Sequence, residues 1–361
     1  MLVQLRTKLF QKRGGKMRKG ILALLLVLSF VGFASAQGLS GILSKVGSQY
    51  AQGYLTPAAN AFGADLNSGL FHSAGMSGIL PFGLHLYVGV QVPAAIVPSS
   101  DQTFSMSYLD TVTFQRSIGS NIYNIQVPAT FTVNNAPTVF GDKNTTGKAT
   151  FNVQKDTTFS VGGVSHTFAL DSSASVPTIP GWTKLSIVPV PIPQVGVGSL
   201  FGTDILVRYL PKIKLSSYGS VQLLGFAVRH SLSQYIPLVP VDIAVQLGWQ
   251  NFSIYDSTGA NVLKESAFAA NLEVSKTLAI VTVYAGLQAE SSSMNVNYSF
   301  TPPSTSLDPS PQAIPISFSV KGKNNFRALV GLDFGLGPVN INADYNIGSI
   351  NAVNVGIGIS I

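Results

Sequence analysis

Apolar and polar residues alternate along the last third of the chain. Val339, Ile341, Ala343, Tyr345 and Ile347 are spaced by Asn340, Asn342, Asp344 and Asn346. Val353, Val355, Ile357, Ile359 and Ile361 are spaced by Asn354, Gly356, Gly358 and Ser360. Val330, Leu332 and Phe334 likewise stand apart from Gly331, Asp333 and Gly335. A period of two is the signature of β-strands with one apolar and one polar face. The same period returns at 84–91, 241–250, 268–274 and 281–288, and less regular strands are expected at 185–198, 203–211 and 219–231.

Alternation alone is shared by soluble sheets and membrane barrels, so the polar face has to decide. A soluble sheet would show water a face rich in Lys, Glu and Thr, whereas this face is Asn, Gln, Ser and Gly with few charges. Such a face suits a barrel lumen, with the apolar face turned to lipid. The strands, roughly 9–13 residues, also match a tilted membrane strand better than the ~5–6 of soluble sheets. Connection lengths point the same way. Working back from the C-terminus, the turns at 335–338 and 276–278 are tight and fall on one side. The long Pro- and Ser-rich segment 291–325 falls on the other. Short periplasmic turns and long extracellular loops are the barrel asymmetry.

Ten strands satisfy this parity without the stretch 93–184, whose segments around 104–114 and 123–133 also alternate. The expected fold class is therefore all-β, a transmembrane antiparallel β-barrel of about 12–14 strands with a short N-terminal helical plug. The remainder of that stretch, around 140–180, is expected to be a β-rich extracellular loop, with a small periplasmic domain as the alternative. Ahead of the strands, Leu39, Ile42, Leu43, Val46, Tyr50 and Tyr54 recur at helical spacing, and Pro57 breaks into the Ala-rich stretch that follows. One or two short helices are expected. They would either fold into the lumen, using Asn60, Asp65 and Asn67 for hydrogen bonds and burying Phe62 with Leu39, Ile42 and Leu43, or form a periplasmic extension.

The N-terminus reads as a leader. Lys16, Arg18 and Lys19 precede an apolar run from Ile21 to Phe33 and then Ala34-Ser35-Ala36, a positive, apolar, small-residue layout. The run falls short of the ~20 residues of a spanning helix. Cleavage is expected after Ala36, and Met17 alone could start the leader. The division expected is thus a signal peptide at 1–36, a plug at 37–80, and a barrel at 81–361 with a large extracellular insertion within 93–184. Seven of the 22 basic residues lie before residue 20, and the remaining fifteen balance the 15 acidic ones. The net charge of +7 therefore belongs to the leader and gives no support for nucleic-acid binding. The absence of cysteine excludes disulfides, thiolate metal sites and a cysteine nucleophile.

Four stretches carry a family resemblance: Tyr54–Gly75, Phe82–Phe104, Pro189–Ile213 and Gly225–Trp249. They resemble exported bacterial proteins grouped only as a domain of unknown function and described as outer-membrane barrels. The resemblance implies an outer-membrane location but no activity and no site residues. A slighter similarity, to outer-membrane long-chain fatty-acid transporters, rests on Thr56-Pro57-Ala58, which departs from their Asn-Pro-Ala hatch at its first residue. The terminal Ile361 departs from the aromatic end of many barrels.

No HExxH, P-loop or Gly-x-Ser-x-Gly motif occurs. His85 and His230 fall on expected strands, but no acid or serine is spaced to make either catalytic, and Arg229-His230 reads as a strand-boundary pair. Neither enzymatic activity nor a cofactor is expected. The lumen-facing candidates are Asp242, Gln246, Gln250, Glu273, Arg327, Asp333, Asn340, Asn342, Asp344 and Asn346, serving solvation or the selectivity of a pore. The function expected is a passive channel or transporter for small or hydrophobic solutes; a structural or adhesive surface protein acting through its loops is the alternative. Expected partners are outer-membrane lipid, the barrel-insertion machinery and a hydrophobic small-molecule solute, and the location is the outer membrane of a Gram-negative bacterium.

Overall fold

A computed structural model describes residues 36–75, 84–118, 121–161, 163–182, 184–214, 219–236, 238–300 and 313–361. The expected leader lies outside the described residues, apart from Ala36. So do positions 301–312 of the Pro- and Ser-rich segment and the side chains of Leu39, Ile42 and Leu43.

Among the described residues, one α-helix, α1 (Ala36–Leu66), precedes sixteen strands. They are β1 (His85–Ile96), β2 (Thr103–Ile118), β3 (Asn121–Pro137), β4 (Lys148–Val161), β5 (Val164–Pro177), β6 (Ile187–Pro189), β7 (Ile192–Leu200) and β8 (Thr203–Lys214). They continue with β9 (Ser220–Ser231), β10 (Asp242–Tyr255), β11 (Asn261–Leu278), β12 (Val281–Phe300), β13 (Ile314–Lys321), β14 (Phe326–Leu336), β15 (Val339–Ile347) and β16 (Ala352–Ser360). The chain divides into two compact units, and α1 contributes to both, with residues up to Tyr54 in the first and those from Leu55 in the second.

The second unit is a closed barrel. Its ring runs β1, β7, β8, β9, β10, β11, β12, β14, β15, β16 and back to β1, ten strands in antiparallel register. The seam pairs Tyr87 with Ser360 and continues to Ala95 with Ala352. Short β6 pairs with β1, and β13 lies against β12. One end of the ring is closed by two-residue turns at 201–202, 279–280 and 337–338 together with the 232–241 connection. At the first of these, Phe201 and Gly202 both have positive φ (51° and 70°), as the hairpin turn that matches strand twist requires. The other end carries the longer connections, including the departure of the chain after Ile96 and its return at Ile187.

The ring is inside-out. Ile357, Val330, Leu247 and Val88 are each about half exposed, while Gln250, Glu273, Arg327 and Asn354, on the opposite parity, are buried. An apolar outer face with a polar interior is stable only where the surroundings are themselves apolar, as in a bilayer.

The ring count corrects the expected 12–14 strands. The stretch 93–184 supplies four strands, but they pair only with one another, in the order β2-β3-β4-β5. Their alternation has the ordinary sense: Ile125, Val127, Phe131, Val133, Phe151 and Val153 are buried. This first unit also holds the start of α1, where the Tyr50 and Phe104 rings meet edge-on at 5.3 Å. Gly53 leaves room for the Phe104 ring, which any Cβ there would strike. Burial pushes the Tyr54 phenol up to about 12, and raises that of Tyr50 further.

A second correction concerns Pro57. It stands inside one continuous 31-residue helix instead of dividing two. A proline inside a helix forfeits one backbone hydrogen bond, a cost of ~3 kcal/mol. Here Ala58, Ala59, Ala61 and Ala64 beside it are all buried, and that packing offsets the loss.

Candidate functional site

The bore of the barrel is filled by its own chain. A helix leaves its last four carbonyls without partners, and the negative end of its dipole favours cations there. The last turn of α1 contains no basic residue, so the cations come from the wall. Arg208 on β8 donates through Nη1 to the Leu66 carbonyl at 2.9 Å and through Nη2 to that of Ser68 at 2.9 Å. Gln194 and Gln250 accept from the same guanidinium and fix its plane. Arg327 on β14 donates to the Ala64 carbonyl at 3.0 Å, to the Ser68 hydroxyl, and to Glu290 at 3.0 Å. Strands β8 and β14 are five places apart in a ring of ten, so the two arginines reach the segment from opposite walls.

Beyond the helix, Gly69 takes φ +64°, and its α-hydrogen faces Asn354 where a side chain would collide. Residues 70–75 then run on inside the ring. Gln246 donates to the Leu70 carbonyl at 3.2 Å, Arg229 to that of Ser73, and the Ala74 amide donates to Ser275 Oγ at 2.9 Å. The segment's apolar side chains have pockets of their own. Leu66 packs on Ile192, Leu223, Phe252 and Ala267, Leu70 on Ala227 and Ala269, and Phe71 on Tyr284 and Leu329.

Two further clusters line the bore. Gln91, Asn342, Asn354, Asp344, Asn346 and Tyr284 form a connected network on the wall made by β1, β12, β15 and β16. At the end with the two-residue turns lies a cavity of about 660 Å³, lined by His72, His85, Asp204, Arg229, Asp242, Asp333 and Asn340 among others. In it Arg229 pairs with Asp204 and lies 3.8 Å from Glu273, and His85 and His72 approach Asp204 and Asp333 at 3.8 and 3.6 Å.

Of the candidates read from the sequence, Gln246, Gln250 and Arg327 touch the threaded segment, and Glu273 flanks Arg229. Asp242, Asp333 and Asn340 line the cavity, while Asn342, Asp344 and Asn346 belong to the wall network. Arg208, Glu290, Gln91, Asp204 and Tyr284 escaped that reading. Arg229 and His230 stand at the end of β9 as read, and Arg229 also grips the segment, whereas His230 bonds Thr203 and Tyr235 near the two-residue-turn end. The segment is held by its backbone carbonyls more than by the expected side chains. Asn67 reaches the Ser291 carbonyl only at 3.5 Å.

A family model described as "Family of unknown function (DUF6588)" matches residues 17–361. The chain belongs to this family. No curated protein matches it. Among solved structures, the translocator domain of the autotransporter NalP from Neisseria meningitidis is similar at 11% identity, covering 89% of this chain and 99% of that one, with a TM-score of 0.25. The loop L8 deletion mutant of OmpT, an outer membrane protein of Vibrio cholerae, is similar at 10% identity, over 77% and 99%, with a TM-score of 0.25. The β domain of the Bordetella autotransporter BrkA gives 8% identity over 77% and 99%, with a TM-score of 0.28. The DUF6588 chain is a closed ten-strand barrel by its own strand pairings.

Proposed function

We propose that this DUF6588 protein is a passive outer-membrane channel that residues 64–75 hold closed. The observation that carries the reading is the pair of arginines, Arg208 and Arg327, that clamp the end of α1 from opposite walls. A bore evolved only for structural stability could be filled with apolar side chains. This one is lined with hydrogen-bonding groups that water or a solute can replace once the segment moves. The inward apolar positions are already covered by Leu66, Leu70 and Phe71, which favours a small polar solute over a hydrophobic one. The apolar outer belt supports a place in the outer membrane, reached after leader removal near Ala36 and with the barrel-insertion machinery as partner. In planar bilayers the Arg208→Ala/Arg327→Ala protein should conduct persistently where the parent opens rarely. Equal silence of both overturns the reading. It would favour the surface-structural alternative, whose support is the separate core of β2–β5.

A further inference from the structure

The direction in which the chain runs through the bore can be read from its neighbours on one strand. Phe62 stacks near Phe252 with ring centroids 5.5 Å apart. Leu66 bonds Gln250, Leu70 bonds Gln246, and Gly75 lies beside Asp242. The partners on β10 fall steadily from 252 to 242, so the segment runs antiparallel to β10. It ends where β10 begins, at the end with the two-residue turns. Other strands agree: Gly63 faces Ser292 of β12, Phe71 meets Tyr284, and Ala74 bonds Ser275 near the end of β11. From this end, beside Gly198 and Asp204, the chain starts β1 at His85.

The helix therefore leaves the bore at the opposite end. From Phe62 back to Leu55 is seven residues, ~10 Å of helix at 1.5 Å per residue. From Phe252 to the end of β10 at Tyr255 is only three residues, ~10 Å along a tilted strand. Leu55 thus stands at the rim that carries the longer connections. In an outer-membrane barrel that rim is the outer one, because short turns face the periplasm.

We infer that the barrel has passed its own N-terminal segment outward through the bore, so that Leu55 stands at the cell-surface rim. This differs from a cork entering from the periplasm, which would put Leu55 at the inner rim. The inference rests on the outer-membrane reading, and its test separates the two.

The chain has no cysteine, so single cysteines report position cleanly. Leu55, partly exposed on α1, would be changed to Cys in one full-length protein. Thr258→Cys in the β10–β11 connection and Leu238→Cys in the β9–β10 connection are the two references, both exposed. Whole cells would be treated with a membrane-impermeant maleimide before and after permeabilising the outer membrane. Leu55→Cys and Thr258→Cys should label on intact cells, and Leu238→Cys only after permeabilisation, each contrast at least tenfold. Labelling of Leu55→Cys only after permeabilisation, or not at all, with Thr258→Cys still reactive on intact cells, overturns the threading. If all three stay unreactive until permeabilisation, or Leu238→Cys reacts where Thr258→Cys does not, the membrane reading or its orientation fails instead, and the threading falls with it.

Discussion

At the scale of single residues, the molecule depends on charges that would be costly if left alone. Arg327 and Glu290 are both buried and 3.0 Å apart. Removing one partner of such a pair leaves an uncompensated buried ion, a cost of about 3–5 kcal/mol. Arg327→Leu should therefore lower unfolding stability in detergent micelles by that amount, and Arg327→Leu/Glu290→Leu should recover most of it, as a shift in the denaturant midpoint would show. Arg327 was legible from sequence because it stands on the polar parity of a regular strand. Arg208 was not. Its strand carries Leu206 and Leu210 on the same inward face, where they pack around Leu70 and Leu66, so the wall loses its polar periodicity where it meets the plugging segment.

At the scale of elements, the sense of alternation is what separates the two sheets. Strand β16 turns Val353, Val355, Ile357 and Ile359 outward and Asn354, Gly356 and Gly358 inward. An Arg at Ile357, near the middle of the apolar belt, should cost roughly 2–4 kcal/mol in a lipid-refolding equilibrium, against less than about 1 for Thr258→Arg outside it. Strand β3 has an equally regular period but the opposite sense, with Phe131 and Val133 buried. Period two states that a strand has two faces, not which of them meets the solvent. That is why β2 and β3 read as further barrel strands. For α1 the helical spacing was visible, yet Pro57 read as a break, because the packing that sustains the helix through it comes from residues distant in sequence.

At the scale of the whole molecule, the largest stretch of the first unit, 102–184, is a single insertion between barrel strands. Where the chain leaves the barrel and returns, the Val97 amide already donates to the Ser186 carbonyl at 2.8 Å, and Ala95 pairs with Val188. A short turn replacing 99–184 should therefore leave the ring intact. The shortened protein should keep the slower or faster gel mobility that distinguishes an unheated from a heated barrel, and its β-rich circular dichroism. Loss of heat-dependent mobility would mean that the ring needs β2–β5 to form.

The seam between β1 and β16 also sets an order in time. It joins the first barrel strand to the last, so its loop-closure entropy spans nearly the whole barrel sequence and it forms slowly. The segment bound by Arg208 and Arg327 ends 17 residues before β1, between Ser68 and His85. The strand that shuts the ring thus brings its own filling with it, and the nascent barrel has no long-lived stage that is both closed and empty.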